Sequence, residues 1–345
     1  MNAMKRIFLT FALLLAFVAP ALATEFSILP YPKGGMSATL DEWRAAVGDL
    51  EGINAKGITV MKTWLDLEPE KGKFDVSQMA KDFTSNAQAG RRVLFGFQPI
   101  NTVKRALPPD LADAEWDDPL LIKRYEALLD AIVAQGGAAP AYVSLGNEVD
   151  VYFEKHPGEV DAYLKFYHRA VIATQRAFPG ARMGITVTYD GLAKRRGALV
   201  QKLVDASEMA VFTYYPVIDL KPLPVENVGA HLDAMLEVAG PKRVLLQEVG
   251  YPSAESIGSS EAKQAFFYRA VLGGIKQRGQ IKFASLFLLH DFEKKVCDDM
   301  IVYYGFEKAP QGPKEKFRDF LCSLGVKNAD GTPKPAWDVV QAELK

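Results

Sequence analysis

Eight short apolar runs alternate with helical patterns along the chain, and this alternation constrains the fold more than any other feature. The runs are rich in β-branched and aromatic residues and occur at 26–29, 58–64, 93–97, 142–145, 183–187, 210–214, 244–246 and 284–289. Helical patterns occupy 40–50, 76–87, 119–134, 159–178, 193–206, 228–238, 260–276 and 336–344. Every predicted strand is therefore followed by a predicted helix.

The predicted strands are almost wholly apolar, which is typical of parallel strands that are covered on both faces. Eight βα units of roughly 40 residues close most economically into a (β/α)8 barrel. A doubly wound open sheet is the alternative, but no Gly-x-Gly-x-x-Gly pattern follows the first run. Since no linker-like stretch divides the chain, the sequence predicts a single α/β domain, a TIM barrel, over residues 24–345.

Residues 1–23 have the pattern of a secretory signal peptide. Lys5 and Arg6 precede an apolar run at 7–18, and Pro20-Ala21-Leu22-Ala23 supplies a cleavage site of small residues. The run is shorter than the roughly 20 residues that span a bilayer, and an uncleaved anchor is the alternative. We expect cleavage after Ala23 and export to the periplasm or the extracellular space, with no membrane attachment afterwards.

The balance of charges argues against highly charged binding partners. The chain has 41 Lys and Arg residues against 42 Asp and Glu residues, and its net charge of -1 becomes about -3 once Lys5 and Arg6 are removed. Such a chain attracts neither nucleic acid nor anionic membranes. Because aromatic residues make up 11% of the chain, we expect its ligand to be a neutral carbohydrate. We also expect the protein to be a monomer. No group of His and acidic residues has metal-ligand spacing, so we predict neither a metal nor a cofactor.

Two glutamates end predicted buried strands, where an unpaired charge is costly. Glu148 follows the fourth run and Glu248 follows the seventh. Because the C-terminal ends of barrel strands meet at one mouth, we expect the two carboxylates to be roughly 5 Å apart, the separation used in retaining glycoside hydrolysis. One carboxylate attacks the anomeric carbon and the other serves as acid and base. A structural ion pair at the barrel rim is the alternative for either glutamate.

Further residues at strand ends are candidates for substrate binding. Asn147 is suited to hydrogen-bond a sugar hydroxyl, although it also suits a helix cap. Either Tyr214 or Tyr215 is expected to donate a hydrogen bond to the nucleophile; successive strand residues point to opposite sides, and we favour Tyr214. Trp64 fits a core position as well as a sugar platform. The remaining candidates are Tyr31, Lys62, Gln98, Tyr251 and His290.

The chain contains two cysteines, Cys297 and Cys322. In an exported chain, a disulfide between them is expected, and it would close a loop of about 25 residues. Two buried thiols are the alternative.

Three stretches resemble the clan of retaining β-glycosidases that share a (β/α)8 barrel. Residues 146–149 and 248–253 are similar to the paired motifs of the endo-1,3-β-glucanase family, and 67–75 is similar to a loop found across the wider clan. The resemblance implies that Glu148 is the acid/base and Glu248 the nucleophile. The chain departs from the clan at Phe287, near which many members carry a tryptophan, and at Lys62, near which many carry an arginine.

The sequence therefore predicts an exported, retaining β-glycoside hydrolase that acts on an oligosaccharide or polysaccharide, or transfers the glycosyl group when a sugar outcompetes water. A carbohydrate-binding barrel that has lost catalysis is the alternative, motivated by the departures from the clan pattern. Metal-dependent hydrolysis and Schiff-base chemistry are disfavoured, because the strand ends lack their residue patterns.

Overall fold

The computed structural model describes residues 23–194 and 196–345, which form a barrel of eight parallel strands. The strands are β1 (Glu25–Ile28), β2 (Gly57–Thr63), β3 (Arg92–Asn101), β4 (Tyr142–Asn147), β5 (Arg182–Thr188), β6 (Met209–Tyr214), β7 (Val244–Val249) and β8 (Ile281–Leu286). Their order is β1-β8-β7-β6-β5-β4-β3-β2, and all of these neighbours pair in parallel. The Lys56 amide donates to the Phe26 carbonyl at 3.0 Å between β2 and β1, so the ring is nearly closed. The predicted barrel and its eight strands are confirmed.

The described residues also form thirteen α-helices. They are α1 (Leu40–Gly52), α2 (Trp64–Leu67), α3 (Ser77–Gln88), α4 (Pro119–Ala134), α5 (Val149–Lys155), α6 (Val160–Ala177), α7 (Tyr189–Ala193), α8 (Gly197–Ala206), α9 (Val228–Ala239), α10 (Glu261–Lys276), α11 (Lys294–Tyr303), α12 (Gln311–Leu321) and α13 (Pro335–Leu344). The eight predicted helices correspond to α1, α3, α4, α6, α8, α9, α10 and α13. None of the helices in the described ranges has both the length and the apolar content needed to cross a bilayer. Residues 1–22 of the predicted signal peptide lie outside the described residues.

Alternation along the strands divides the core into two layers. Val211 and Leu245 belong to a cluster inside the barrel, whereas Phe212 and Leu246 pack in the layer between the strands and the helices. Every residue of β4, β6 and β7 is buried. Strands that are covered on both faces explain the continuous apolar runs in the sequence.

Residues 294–321, which we call the helical insert, follow β8 and were not predicted to be helical. They consist of α11, a 3-10 turn at Phe306–Lys308, and α12. A disulfide joins Cys297 to Cys322 with 6.0 Å between their Cα atoms, which confirms the predicted bridge. The Tyr303 hydroxyl donates to the Asn101 carbonyl at 3.0 Å, so the insert also contacts the C-terminal end of β3.

Candidate active site

A cavity of about 630 Å³ opens at the C-terminal ends of the strands, and both predicted glutamates line it. Six strands supply residues to its wall, from β2 to β7: Met61, Gln98, Asn101, Asn147, Thr188, Thr213 and Glu248. Glu148, the residue directly after β4, lines it too. This end of a barrel is where TIM-barrel enzymes place their active sites.

Glu148 is fixed by its backbone and by two hydroxyl groups. It is the N-cap of α5 and has φ 50° and ψ 43°, a left-handed conformation that is uncommon for residues other than glycine and that persists where the surroundings impose it. Thr213 Oγ1 donates to its Oε1 at 2.8 Å, and Thr102 Oγ1 donates to its Oε2 at 2.9 Å. Both carboxylate oxygens therefore have partners from neighbouring strand ends.

Glu248 is held from one side by Tyr215. The tyrosine hydroxyl donates to Oε2 at 2.6 Å, and the side chain of Glu248 is buried in the cavity wall. The pairing of β7 with β6 shifts register between Leu246 and Glu248, an irregularity that re-aims side chains. A Cβ atom at Gly250 would lie 2.6 Å from Tyr215 Cε1, so a glycine here lets the tyrosine ring reach the carboxylate.

The two carboxylates affect each other's ionisation. Burial is the largest cause of the raised pKa of each, and the neighbouring Glu148 charge is the next cause for Glu248. Two coupled acids release their protons in separate steps and hold one proton between them at intermediate pH. The hydrogen bond from Tyr215 stabilises the Glu248 anion, while the Asp150 carboxylate favours the protonated form of Glu148 by raising its pKa.

Asp150 is part of a buried charged cluster beside Glu148. Its Oδ2 accepts from Arg196 Nε at 2.8 Å, and its two oxygens accept from the Thr188 amide and hydroxyl at 2.9 and 2.8 Å. The guanidinium of Arg196 also pairs with Glu154 at 2.7 Å. The cluster therefore holds a compensated negative charge next to the proposed proton carrier.

Asn147 lines the cavity and is oriented by Gln247. Gln247 Nε2 donates to Asn147 Oδ1 at 2.7 Å, while Gln247 Oε1 accepts from Ser144 at 2.5 Å and from Thr186 at 3.0 Å. These bonds fix which end of the Asn147 amide carries the donor. Glu148 occupies the N-cap of α5, so capping by Asn147 is not what the structure shows.

The structure corrects the preference between the two adjacent tyrosines. Tyr215 lines the cavity and contacts the nucleophile candidate, whereas the Tyr214 hydroxyl lies 3.0 Å from His231 Nδ1 on α9. Alternation along β6 is the reason: Thr213 and Tyr215 point toward the cavity, and Tyr214 points toward the helical layer. The prediction that Tyr214 faces Glu248 was wrong.

Trp64 and Lys62 do not reach the cavity. Trp64 is fully buried, and its indole N–H donates to Glu68 Oε2 at 3.0 Å. Glu68 is itself fully buried in an ion pair with Arg124, so this part of the 67–75 loop belongs to the core. Lys62 is exposed and outside the cavity wall. The sugar-platform role predicted for Trp64 is therefore excluded by its burial.

Three further candidates lie behind the cavity or away from it. The Tyr31 ring packs edge-to-face on Phe292, a cavity residue, with 4.8 Å between centroids, and its backbone carbonyl lies 2.8 Å from His290 Nδ1. Tyr251 stacks on Phe267 at 4.9 Å and lines a different pocket. Of the predicted site residues, the cavity brings together Gln98, Asn147, Glu148, Tyr215 and Glu248.

The sequence reasoning missed four residues around the carboxylates. Two of them could have been predicted. Thr213 is two residues before Tyr215 and so faces the same side of the strand, and Gln247 is a polar residue inside an apolar run. Thr102 lies beyond β3 with no local signal. Tyr304 belongs to the helical insert; burial and then the Glu148 charge raise the pKa of its hydroxyl.

Within residues 23–194 and 196–345, no three His, Cys, Asp or Glu side chains are grouped closely enough to hold a metal ion.

No family model matches the chain, and no curated protein matches it. Solved structures with the same barrel do match. A GH5_18 protein from Streptomyces cattleya, a glutamate-to-alanine variant in complex with Manβ1-4GlcNAc, is 16% identical with a TM-score of 0.69; the match covers 93% of this chain and 80% of that one. The exo-β-1,4-mannosidase Op5Man5 from Opitutaceae bacterium strain TAV5 is 16% identical with a TM-score of 0.64, covering 93% and 59%.

A family 39 glycoside hydrolase from Bacteroides cellulosilyticus WH2 matches at 13% identity and a TM-score of 0.61, covering 94% of this chain and 64% of that one. At such identities the matches establish the shared barrel fold. None of the three is described as an endo-1,3-β-glucanase, so the resemblance to that family stays a prediction.

Proposed function

We propose that this chain is an exported, retaining β-glycoside hydrolase in which Glu148 is the acid/base and Glu248 is the nucleophile. The observation that carries the proposal is the placement of both carboxylates in one cavity wall, each held by hydroxyl donors and close enough for Glu148 to raise the pKa of Glu248. The fold shared with a mannosidase and a family 39 glycoside hydrolase supports it.

In the first step, the Glu248 carboxylate attacks the anomeric carbon while Glu148 gives its proton to the glycosidic oxygen. The bond between the anomeric carbon and that oxygen breaks, and a glycosyl ester with Glu248 forms. Burial and the Glu148 charge raise the pKa of Glu248 to about 8, and the hydrogen bond from Tyr215 opposes them by favouring the ionised form that attacks. Asn147, whose amide is oriented by Gln247, is placed to donate to a sugar hydroxyl beside the reacting carbon.

In the second step, Glu148 takes a proton from water as the water oxygen attacks the anomeric carbon. The ester bond breaks and returns the Glu248 carboxylate, so two inversions give net retention. A sugar hydroxyl in place of water gives transglycosylation by the same route. Glu148 donates a proton in the first step and accepts one in the second, so the two glutamates must hold one proton between them. The raised pKa values of both glutamates favour this state.

The test is a screen of the purified mature chain on aryl β-glycosides and on β-linked oligosaccharides. We expect turnover with retention, read from the anomer of the first product by NMR. Replacement Glu248→Gln should abolish turnover without lowering the melting temperature. Replacement Glu70→Gln is the matched control, because Glu70 is exposed and outside the cavity. Equal activity of Glu248→Gln and the parent would overturn the proposal.

An activated 2-fluoro glycoside of the preferred sugar gives a second, independent measurement. Intact mass should increase by one glycosyl group, and peptide mapping should locate the group on Glu248. A chain that binds the sugar but shows neither turnover nor labelling is the carbohydrate-binding barrel, not the enzyme.

Export is the second part of the proposal and is tested separately. Residues 1–23 fused to a reporter that is active only outside the cytoplasm should give activity, and mass spectrometry of the mature protein should find Thr24 at the N-terminus. Retention of the full-length chain in the cytoplasm would contradict export and leave the enzymatic proposal intact.

A further inference from the structure

The cavity wall has two halves of different chemistry. The strand-end half carries amides, hydroxyls and charges, including Gln98, Asn147 and Thr188. The other half is formed by the segment after β8 and by the helical insert, and its described residues are Phe, Leu and Met with a single hydroxyl from Tyr304. A substrate that is polar at one end and apolar at the other would complement both halves.

The apolar half begins directly beside the nucleophile candidate. The rings of Phe287 and Phe320 each pack edge-to-face on Tyr215, with 5.9 Å between centroids. Tyr215 is the residue that donates to Glu248. The apolar wall is thus in contact with the residue that holds the reacting carboxylate, and it is part of the same site.

A second sugar unit suits this half less well than an apolar group. One face of its ring can lie on an aromatic side chain, but Tyr304 supplies the one side-chain hydroxyl of this half among the described residues. The other sugar hydroxyls would leave water without side-chain partners, and each buried polar group without a partner weakens binding by roughly fivefold to a hundredfold. An alkyl or aryl group has the opposite preference, since burial of each methylene strengthens binding by about fourfold. Aromatic rings that pack on one another, such as Phe306 and Phe317 at 4.3 Å, extend this surface.

We propose that the natural substrate is a β-glycoside with an apolar aglycone, an alkyl or aryl group that lies against the helical insert while the sugar lies at the strand ends. The proposal rests on the proposed function, because the aglycone leaves from the side of the acid/base Glu148. Tyr304 of the helical insert lies near that residue, whose charge raises the pKa of the Tyr304 hydroxyl. It differs from the oligosaccharide or polysaccharide expected from the sequence.

The test is the dependence of kcat/KM on aglycone length for ethyl, butyl, hexyl and octyl β-glycosides of the sugar preferred in the screen. These alcohols are nearly equal as leaving groups, so the series reports binding of the chain. We expect a rise of roughly twofold to fourfold per methylene until the cavity is filled, and a lower value for the disaccharide of the same sugar. A flat series, or preference for the disaccharide, would overturn the aglycone assignment with the hydrolase intact. Absence of turnover on every glycoside would overturn the proposed function itself, and this inference with it.

A polar substitution in the insert locates the effect. Met300→Gln changes a cavity residue of α11 into a near-isosteric amide and should lower the octyl-to-ethyl ratio of kcat/KM by about tenfold. Val302→Thr is the matched control on the same helix, because Val302 is 62% exposed and outside the cavity wall; its ratio should equal the parent's. An unchanged ratio in a folded Met300→Gln protein contradicts the assignment, and the length series on the parent chain stands even where that variant fails to fold.

Discussion

The two halves of the cavity wall differ in how the chain builds them. The strand-end half consists of residues at the ends of paired parallel strands, and its side chains are fixed by hydrogen bonds such as those from Thr102 and Thr213 to Glu148. The helical insert is outside the barrel. One disulfide closes it, and it contacts the strand ends through the ring of Phe320 on Tyr215 and the bond from Tyr303 to Asn101.

This difference separates two tasks. Proton transfer and nucleophilic attack need groups whose positions are fixed to within a fraction of an ångström. Strands that are hydrogen-bonded to one another provide this precision. Choice of aglycone needs a surface of suitable shape and polarity, which an added segment supplies without disturbing the barrel. We therefore expect substitutions at the strand ends to change kcat on all substrates, and substitutions in the insert to change the ranking of substrates.

The largest expected effect at the strand ends is that of Glu148→Gln. Loss of the general acid should lower kcat/KM by about 10²- to 10⁴-fold on glycosides with poor leaving groups, and much less on dinitrophenyl glycosides, whose departure needs no proton. The measurement is the ratio of kcat/KM for the two classes of leaving group. An equal loss on both classes would show that Glu148 does not donate the proton.

For the insert, the largest expected effect is on stability. Cys297→Ala combined with Cys322→Ala removes the disulfide between two residues that are 25 positions apart. The free energy of unfolding should fall by about 3 kcal/mol. Hydrogen exchange should accelerate first in α11 and α12 and last in β4 and β7. Uniform acceleration across barrel and insert would show that the two regions unfold as one unit.

Adjacent tyrosines give a matched pair with a smaller effect. Tyr215→Phe removes the donor to Glu248 and should lower kcat/KM by about 10- to 100-fold, as expected for a hydrogen bond to a charged group. Tyr214→Phe removes a hydroxyl that lies beside His231 in the helical layer, and should lower the melting temperature by a few degrees with little change in kcat/KM. The opposite pattern would restore the original preference for Tyr214.

The same pair shows where sequence reasoning succeeded and where it failed. Apolar runs report burial on both faces, so the eight strands and the two strand-end glutamates were predictable. The face on which a given residue lies depends on register, and in β7 a register shift lies between Leu246 and Glu248. Alternation along β6 could nonetheless have identified the correct tyrosine, because Thr213 and Tyr215 are two residues apart and must face the same side.

Residues that depend on long-range packing were not predictable. Trp64 lies in the core, where its indole donates a hydrogen bond to Glu68. Arg124, which is 56 positions from Glu68 along the chain, compensates the charge of that glutamate. The helical insert was not recognised as helical, although α12 is amphipathic, so Tyr304 and the apolar half of the cavity were missed. The sequence therefore predicted the strand-end half of the cavity better than the apolar half.

The smallest expected effect at the strand ends is a shift in pH dependence. The hydrogen bond from Thr213 lowers the pKa of Glu148, so Thr213→Val should raise that pKa. Because Glu148 must be protonated to act as the acid, the alkaline limb of the kcat/KM profile should move to higher pH. The other charges that bear on this carboxylate, Asp150, Arg196 and Glu248, are unchanged in the variant.

The control for this shift comes from the helical insert. Val302→Thr in the helical insert alters an exposed side chain on α11, outside the cavity wall, so its profile should match the parent's. A downward shift in Thr213→Val would mean that the threonine accepts rather than donates at Glu148. An equal shift in both variants would mean that the insert and the strand ends titrate together, and the division of tasks between them would not hold.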